Sequence, residues 1–259
     1  MRALLVTGVL ALAACAPMQS DPSLATGQLA EVQRRADLRL QLATAYYAEG
    51  QYSTALHELD LAYQTGQRRA EVLGLRSLVL MQQGDTDGAT RSLRLALQLE
   101  PDNPGLLNNM GWLLCETGHA HEGLNYFSRV LANKTYQYPA RAMVNAGRCS
   151  LSLGKRAQAE AFFLQALATD PGLFAAHTGL ARLAYEAGDY ARARSHLLRV
   201  LPSNQALKED FLMAISIERK LGDKMAAQTL IQQWRKRFPD AVGADNSAGN
   251  LSIIDADEQ

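Results

Sequence analysis

The sequence predicts an all-α fold built from six helix-turn-helix repeats, because three positions recur along the chain. Six glycines are spaced 34, 34, 36, 34 and 34 residues apart: Gly50, Gly84, Gly118, Gly154, Gly188 and Gly222. Glycine favours the left-handed turn that ends a helix, where any Cβ is penalised. Alanine or glycine stands five residues after each of them, and a bulky apolar residue nine residues after. Small residues let two helices approach and large ones fill the space beside them, so each period predicts one helical hairpin.

The same period divides residues 36–241 into six repeats, namely 36–69, 70–103, 104–139, 140–173, 174–207 and 208–241. Pro101, Pro171 and Pro239 occupy one repeat position, just beyond the second helix, where proline stops a helix. A period of 34 residues with this pattern resembles the tetratricopeptide repeat. The resemblance implies a right-handed superhelical solenoid with a concave groove and no catalytic pocket of its own.

Composition and motifs argue against nucleic-acid binding and against catalysis. The chain has 259 residues, 47% of them hydrophobic, and lysine plus arginine equals aspartate plus glutamate at 26 each. Bulk charge therefore favours no nucleic-acid partner. The five histidines are scattered, and an isolated His119-x-His121 pair is a weak metal site without a third ligand. The sequence contains no nucleophile elbow, phosphate-binding loop or metalloprotease helix. We therefore expect a protein that is not an enzyme and has no metal or cofactor.

The first fifteen residues have the pattern of a targeting segment. Arg2 precedes a largely apolar run, Ala3 to Leu12, which is too short to span a bilayer. The run ends Leu12-Ala-Ala-Cys15, which resembles the lipobox of bacterial lipoproteins. This predicts a signal peptide over 1–14 and lipidation of Cys15. The alternatives are an ordinary signal peptide or a cytosolic protein with an apolar start. Ala16 in place of aspartate favours the outer membrane, facing the periplasm, by resemblance to enterobacterial sorting rules.

The segments on either side of the repeats are predicted to be irregular. Residues 15–35 contain the lipidation site and two prolines, which predicts a flexible tether. Apolar residues return at helical spacing from Gln28, so the first helix can begin before the first repeat. Residues 242–259 are acidic and contain no lysine or arginine, which predicts a disordered tail.

In tetratricopeptide proteins the concave groove is lined mainly by side chains at fixed positions of the first helices. Carrying those positions over gives an early groove that is mostly apolar: Leu40, Tyr47, Leu78, Met81, Asn108 and Trp112. The late groove carries an arginine in each of repeats four to six: Arg148, Arg182 and Arg219. An apolar groove suits an amphipathic helix or an apolar chain terminus. The alternative for Leu78 and Trp112 is ordinary packing between helices.

Cys115 and Cys149 lie in the predicted first helices of repeats three and four. First helices of neighbouring repeats lie side by side, so the two thiols come within reach of each other. An exported location is oxidising and permits a disulfide, which would stabilise by roughly 3–4 kcal/mol. Such a bond needs Cα atoms within about 7 Å. The alternative is a pair of buried free thiols, and the register favours the disulfide.

A narrower resemblance rests on motifs in repeats three and four. They read Asn108-Asn-Met-Gly-Trp-Leu-Leu-Cys115, Tyr136-Gln-Tyr-Pro139 and Val144-Asn-Ala-Gly-Arg-Cys149. With the lipobox, these motifs are similar to the PilF/PilW family of type IV pilus biogenesis lipoproteins. The resemblance implies lipidation of Cys15 and a Cys115–Cys149 disulfide. It also implies a pilotin, which binds subunits of the outer-membrane secretin and promotes their localisation and multimerisation. The alternative is a scaffold lipoprotein of another envelope machine, in tight-adherence pili or cell-wall synthesis.

Overall fold

The computed structural model describes residues 22–239, and over that range the chain forms twelve α-helices and no strand. The predicted all-α class is therefore confirmed. The helices are α1 (Pro22–Ala48), α2 (Tyr52–Gln64), α3 (Arg69–Gln82), α4 (Thr86–Leu99), α5 (Pro104–Glu116), α6 (Ala120–Ala132), α7 (Pro139–Ser152), α8 (Arg156–Thr169), α9 (Phe174–Glu186), α10 (Tyr190–Val200), α11 (Lys208–Lys220) and α12 (Lys224–Arg237). The predicted signal peptide, the lipidation site Cys15 and the tail 242–259 lie outside the described residues.

The chain divides into two compact units, Met1–Arg68 and Arg69–Gln259. In the first unit, α1 and α2 form one hairpin. Small residues of α1, including Ala36 and Ala43, are fully buried, as are Ala55 and Leu59 of α2. An ion pair of 2.7 Å between Arg39 and Glu58 links the two helices.

Helix α1 extends further towards the N-terminus than the predicted tether allows. The tether prediction covered residues 15–35, whereas α1 begins at Pro22, so residues 22–35 are helical. The reason is local, because this stretch is rich in leucine, alanine, glutamate, glutamine and arginine, all strong helix formers. Glu31 also forms an ion pair with Arg34 one turn later. Exposed residues such as Leu29 show that this extension is not held by burial.

The second unit contains five hairpins, in which each odd-numbered helix from α3 to α11 packs against the helix that follows it. The first helices α3, α5, α7 and α9 also contact one another in sequence, so they form a continuous layer. These contacts place side chains from successive repeats on one face. They are the reason why residues about 34 positions apart meet in the site described below.

The six glycines that set the period end the first helix of each hairpin. All six have positive φ, between 71° and 83°, which confirms the predicted left-handed turn. In three hairpins an aspartate follows and caps the second helix: the Asp85 carboxylate accepts from the Gly88 N–H, Asp189 from Arg192 and Asp223 from Ala226. Every hairpin therefore carries a glycine at the end of its first helix, and these three also carry a cap at the start of the second.

The core of each hairpin depends on a small residue opposite a large one. A Cβ at Gly111 would lie 2.9 Å from the Phe127 ring, and one at Gly147 would lie 2.6 Å from the Phe163 ring. Both rings are buried. The last hairpin differs, since Trp234 of α12 fills its core beside Ile215 and is 1% exposed. Trp234 is therefore a core residue of the final repeat.

Candidate functional site

Helices α5 and α7 are joined by the two cysteines. The structure bonds Cys115 to Cys149 with Cα atoms 5.4 Å apart, within the range that disulfides require. Cys149 is buried, while Cys115 is half-buried and reaches the surface. The bond therefore lies at the edge of the layer of first helices, where it can form part of a binding surface.

Gly123 on α6 makes room for this bond. A Cβ at Gly123 would lie 2.5 Å from the Cys115 sulfur and 2.7 Å from the Gly111 carbonyl oxygen. The other five repeats have alanine at this position. The sequence marks Gly123 as a departure from the repeat, and the structure supplies the reason.

A cavity of about 440 Å³ lies beside the disulfide. It is lined by side chains of α5, α7 and α9 and by the start of α8. The lining residues are Trp112, Cys115, Glu116, Asn145, Arg148, Cys149, Leu151, Ser152, Gly154, Arg156, Arg182 and Glu186. The first helices supply most of this wall, so the cavity lies on the face predicted to form the groove.

A second cavity, of about 220 Å³, lies between α7, α9 and the start of α11. It shares Arg148, Leu151 and Arg182 with the first cavity. Its remaining walls are largely apolar and include Phe174 and Leu207. The two cavities are therefore adjacent, and two arginines stand where they meet.

The charges around these arginines are unevenly paired. Glu186 lies 2.9 Å from Arg156 and 3.8 Å from Arg182, so one carboxylate serves two guanidinium groups. Arg148 is exposed, and none of the ion pairs among residues 22–239 includes it. Asp210 in the second cavity is buried, and its oxygens already accept from the Thr178 hydroxyl and the Leu207 N–H.

The six residues predicted to line the early groove are all half-buried, and the structure brings only some of them into a described cavity. Trp112 lines the cavity beside the disulfide, and Leu40 lines a depression in the first unit. Asn108 accepts a hydrogen bond of 3.2 Å from the Asn145 side chain of the next repeat. Three more predicted groove residues, Tyr47, Leu78 and Met81, lie on first helices, and the Tyr47 ring centroid is 6.1 Å from that of Tyr52.

The prediction missed several residues that line the cavities. Asn145 and Glu186 belong to first helices but fall outside the repeat positions carried over for the groove, whereas Leu151 stands at the same repeat position as Tyr47 and Met81 but was not named. Asn145 stands within the Val144–Cys149 motif, which is a signal that the sequence contains. Glu186 is the last residue of α9, and no feature of the repeat pattern marks it.

Titratable groups elsewhere are isolated or paired. His177 and His196 face each other with their Nδ1 atoms 3.1 Å apart. The predicted weak pair His119 and His121 is exposed. Within residues 22–239 there is no group of three or more histidine, cysteine, aspartate or glutamate side chains arranged to hold a metal ion. None of the helices described over this range has both the length and the apolar character needed to cross a membrane.

The repeated hairpins, with the contacts between the first helices α3 to α9, define a helical repeat protein. Tetratricopeptide repeat models match residues 40–104, 108–174 and 150–215. The chain therefore belongs to the tetratricopeptide repeat proteins.

Within this group the chain is homologous to PilF and PilW. It is 24% identical to the type IV pilus assembly protein PilF of Pseudomonas aeruginosa over 209 residues, which cover 80% of this chain and 82% of PilF. The crystal structure of PilW, described as a widely conserved type IV pilus biogenesis factor, matches with 28% identity and a TM-score of 0.70. That match covers 85% of this chain and 97% of the PilW chain. A tetratricopeptide repeat protein from Parabacteroides merdae shares the fold, with 18% identity, a TM-score of 0.62 and 78% coverage of each chain.

Proposed function

We propose that this protein is an outer-membrane lipoprotein of type IV pilus biogenesis that binds subunits of the pilus secretin. In this role it promotes their localisation to the outer membrane and their multimerisation. The observation that carries the proposal is homology to PilF and PilW over most of the chain. The Leu12–Cys15 lipobox supports the membrane anchor.

The proposed mechanism combines two separate attachments. Lipidated Cys15 holds the protein at the periplasmic face of the outer membrane, since each buried methylene contributes about 0.8 kcal/mol. The layer of first helices captures a segment of the secretin reversibly. Bringing partner and membrane together raises the local concentration of secretin subunits, which favours their multimerisation without any chemical step. The role is therefore that of a non-enzymatic assembly factor.

The Cys115–Cys149 bond belongs to this proposal because it requires an oxidising compartment. We propose that it forms after export and fixes α5 against α7, so that the cavity beside it has a rigid edge. Thiol labelling of the protein isolated from the periplasmic side tests this directly. Both cysteines should resist alkylation until a reductant is added.

The test of the function is made in cells. Secretin is followed as heat-resistant multimers in fractionated membranes, with and without this gene. We expect multimers to disappear or to remain at the inner membrane in the deletion strain, and wild-type protein to restore them. A Cys15→Ala form should not restore their position. Normal multimers at the outer membrane of the deletion strain would refute the proposal.

The test of the early groove uses purified proteins. Tyr47→Ala combined with Leu78→Ala should abolish capture of the secretin while the helical content persists. The matched control is Leu95→Ala with Leu164→Ala, since these two leucines are exposed on second helices at 48% and 47%. Capture by the groove variant at the level of the control would exclude these residues as contacts.

A further inference from the structure

Two arginines stand at the junction of two cavities on the layer of first helices. Arg148 of α7 and Arg182 of α9 line both the 440 Å³ cavity beside the disulfide and the 220 Å³ cavity next to it. We propose that repeats three to five form a binding site for an acidic peptide segment. One carboxylate of the segment binds at Arg148 and Arg182, and apolar side chains on either side of it enter the two cavities.

The carboxylate is assigned from the unpaired charge at the junction. Arg148 is exposed and takes part in no ion pair among residues 22–239. Arg182 is only weakly paired, because Glu186 lies 3.8 Å from it and 2.9 Å from Arg156. Guanidinium groups bind carboxylates through paired N–H donors, which gives both strength and orientation. An arriving carboxylate therefore completes the site without breaking the shorter ion pair.

The two acidic residues that line the cavities besides Glu186 do not occupy this junction. Glu116 of α5 lines only the first cavity, whereas Arg148 and Arg182 line both. Asp210 is 3% exposed and accepts hydrogen bonds from the Thr178 hydroxyl and the Leu207 N–H. At the junction, Arg182 therefore shares its one carboxylate partner with Arg156, and Arg148 takes part in no ion pair among residues 22–239.

The apolar anchors are assigned from the walls on either side. Trp112 and the disulfide line the first cavity, and Phe174 and Leu207 line the second. Leu207 is 61% exposed, so a bound side chain would remove apolar surface from water. The site thus selects a segment by charge at its centre and by apolar contact at both sides. It shares Trp112 with the predicted early groove but does not require the secretin to be the partner.

The test uses a probe that is independent of the secretin. Phage displaying random peptides of about 12 residues are selected on the lipidated, disulfide-bonded protein in detergent micelles. We expect enriched peptides to carry aspartate or glutamate between two large apolar residues. One enriched sequence is then made with a fluorescein label, together with its version in which the acid is replaced by the amide. Binding of both is measured by fluorescence anisotropy.

The variants for this test are Arg148→Glu with Arg182→Glu, and the milder Arg148→Gln with Arg182→Gln in case charge reversal disturbs folding. Arg91→Glu is the control, because Arg91 is exposed on α4, outside both cavities. We expect the charge-reversal variant to bind the acidic peptide about tenfold more weakly, and the control to bind it as wild type does. The amide peptide should bind wild type weakly. It should bind the glutamine variant with the same weak affinity, because both changes remove the same interaction.

Three results would overturn the inference: no enrichment, enriched peptides that lack an acidic residue, or equal binding of the acidic peptide to wild type and to both arginine variants. If secretin capture depends on Tyr47 and Leu78 and is unaffected by the arginine variants, the proposed function stands. The peptide measurements alone then decide whether repeats three to five bind an acidic segment. If the wild-type protein does not capture the secretin at all, the proposed function is refuted, and the peptide result still stands or falls by itself.

Discussion

Reduction of the Cys115–Cys149 bond is expected to lower the stability of the second unit by a predictable amount. The bond closes a loop with a sequence separation of 34 residues. On the chain-entropy relation, a loop of this length restricts the unfolded chain by about 4 kcal/mol at 25 °C. A domain of this size loses roughly 2–4 °C of melting temperature per kcal/mol, so we expect a decrease of about 10 °C.

The assay is thermal unfolding followed by circular dichroism at 222 nm, with and without a phosphine reductant. Wild-type protein should melt about 10 °C lower when reduced. Cys115→Ala with Cys149→Ala should melt near the reduced wild type and show no response to the reductant. If the array unfolds in stages, the decrease should appear in the transition that contains α5 to α8.

Thiol labelling first establishes that the bond is intact. A melting temperature that then changes by less than about 2 °C on reduction would refute this reasoning. Such a result would mean that contacts in the reduced unfolded chain already hold the two helices together. A response of the alanine variant to the reductant would show that the effect does not come from this bond.

Two further predictions test the packing around the site and the paired histidines. Gly123→Ala should destabilise the protein by about 1–3 kcal/mol in urea unfolding, because its Cβ would lie 2.5 Å from the Cys115 sulfur and 2.7 Å from the Gly111 carbonyl oxygen. In protein lacking both cysteines only the overlap with the Gly111 carbonyl remains, so the same substitution should destabilise less. An equal loss of stability in the two proteins would exclude the sulfur as a cause. His177 Nε2 donates to the Pro171 carbonyl oxygen, so in the neutral pair His196 Nδ1 donates to His177 Nδ1. Burial lowers the pKa of His196, the positive charges of His177, Arg192 and Arg199 lower it further, and Glu160 opposes them. The unfolded chain therefore binds the proton more readily, so stability should fall as the pH drops below about 6.5. Melting temperatures between pH 8 and 5 should show a smaller decrease for His196→Gln, and an equal decrease would exclude His196 as the cause.

Much of the fold could be predicted because single residue types at fixed repeat positions specify each hairpin. The six glycines mark the turns, and the small residues that follow them mark where two helices meet. Each of these signals acts within one hairpin, over contacts that lie close together along the chain. Helix α1 is the exception, since its N-terminal extension follows helix propensity rather than the repeat, and the two prolines near it suggested a tether instead.

The candidate site could be predicted only in part. Periodicity identified the face on which Trp112, Arg148 and Arg182 lie, and the motif around the cysteines identified α5 and α7 as neighbours. It did not identify which side chains form the cavity walls. Leu151 and Asn145 line cavities because α7 packs between α5 and α9, and that contact depends on the stacking of three repeats.

The sequence by itself therefore determined the class of fold, the register of the hairpins and the pair of cysteines, because each depends on residue type at a regular spacing. The tertiary structure decided which carboxylate pairs with which arginine. It also placed the Cys115 sulfur against Gly123, which explains the glycine in repeat three, and it placed two cavities side by side. Those outcomes depend on distances of a few ångströms between side chains one repeat apart. A periodic pattern specifies the helix face on which a side chain lies, but it does not specify which side chain it contacts.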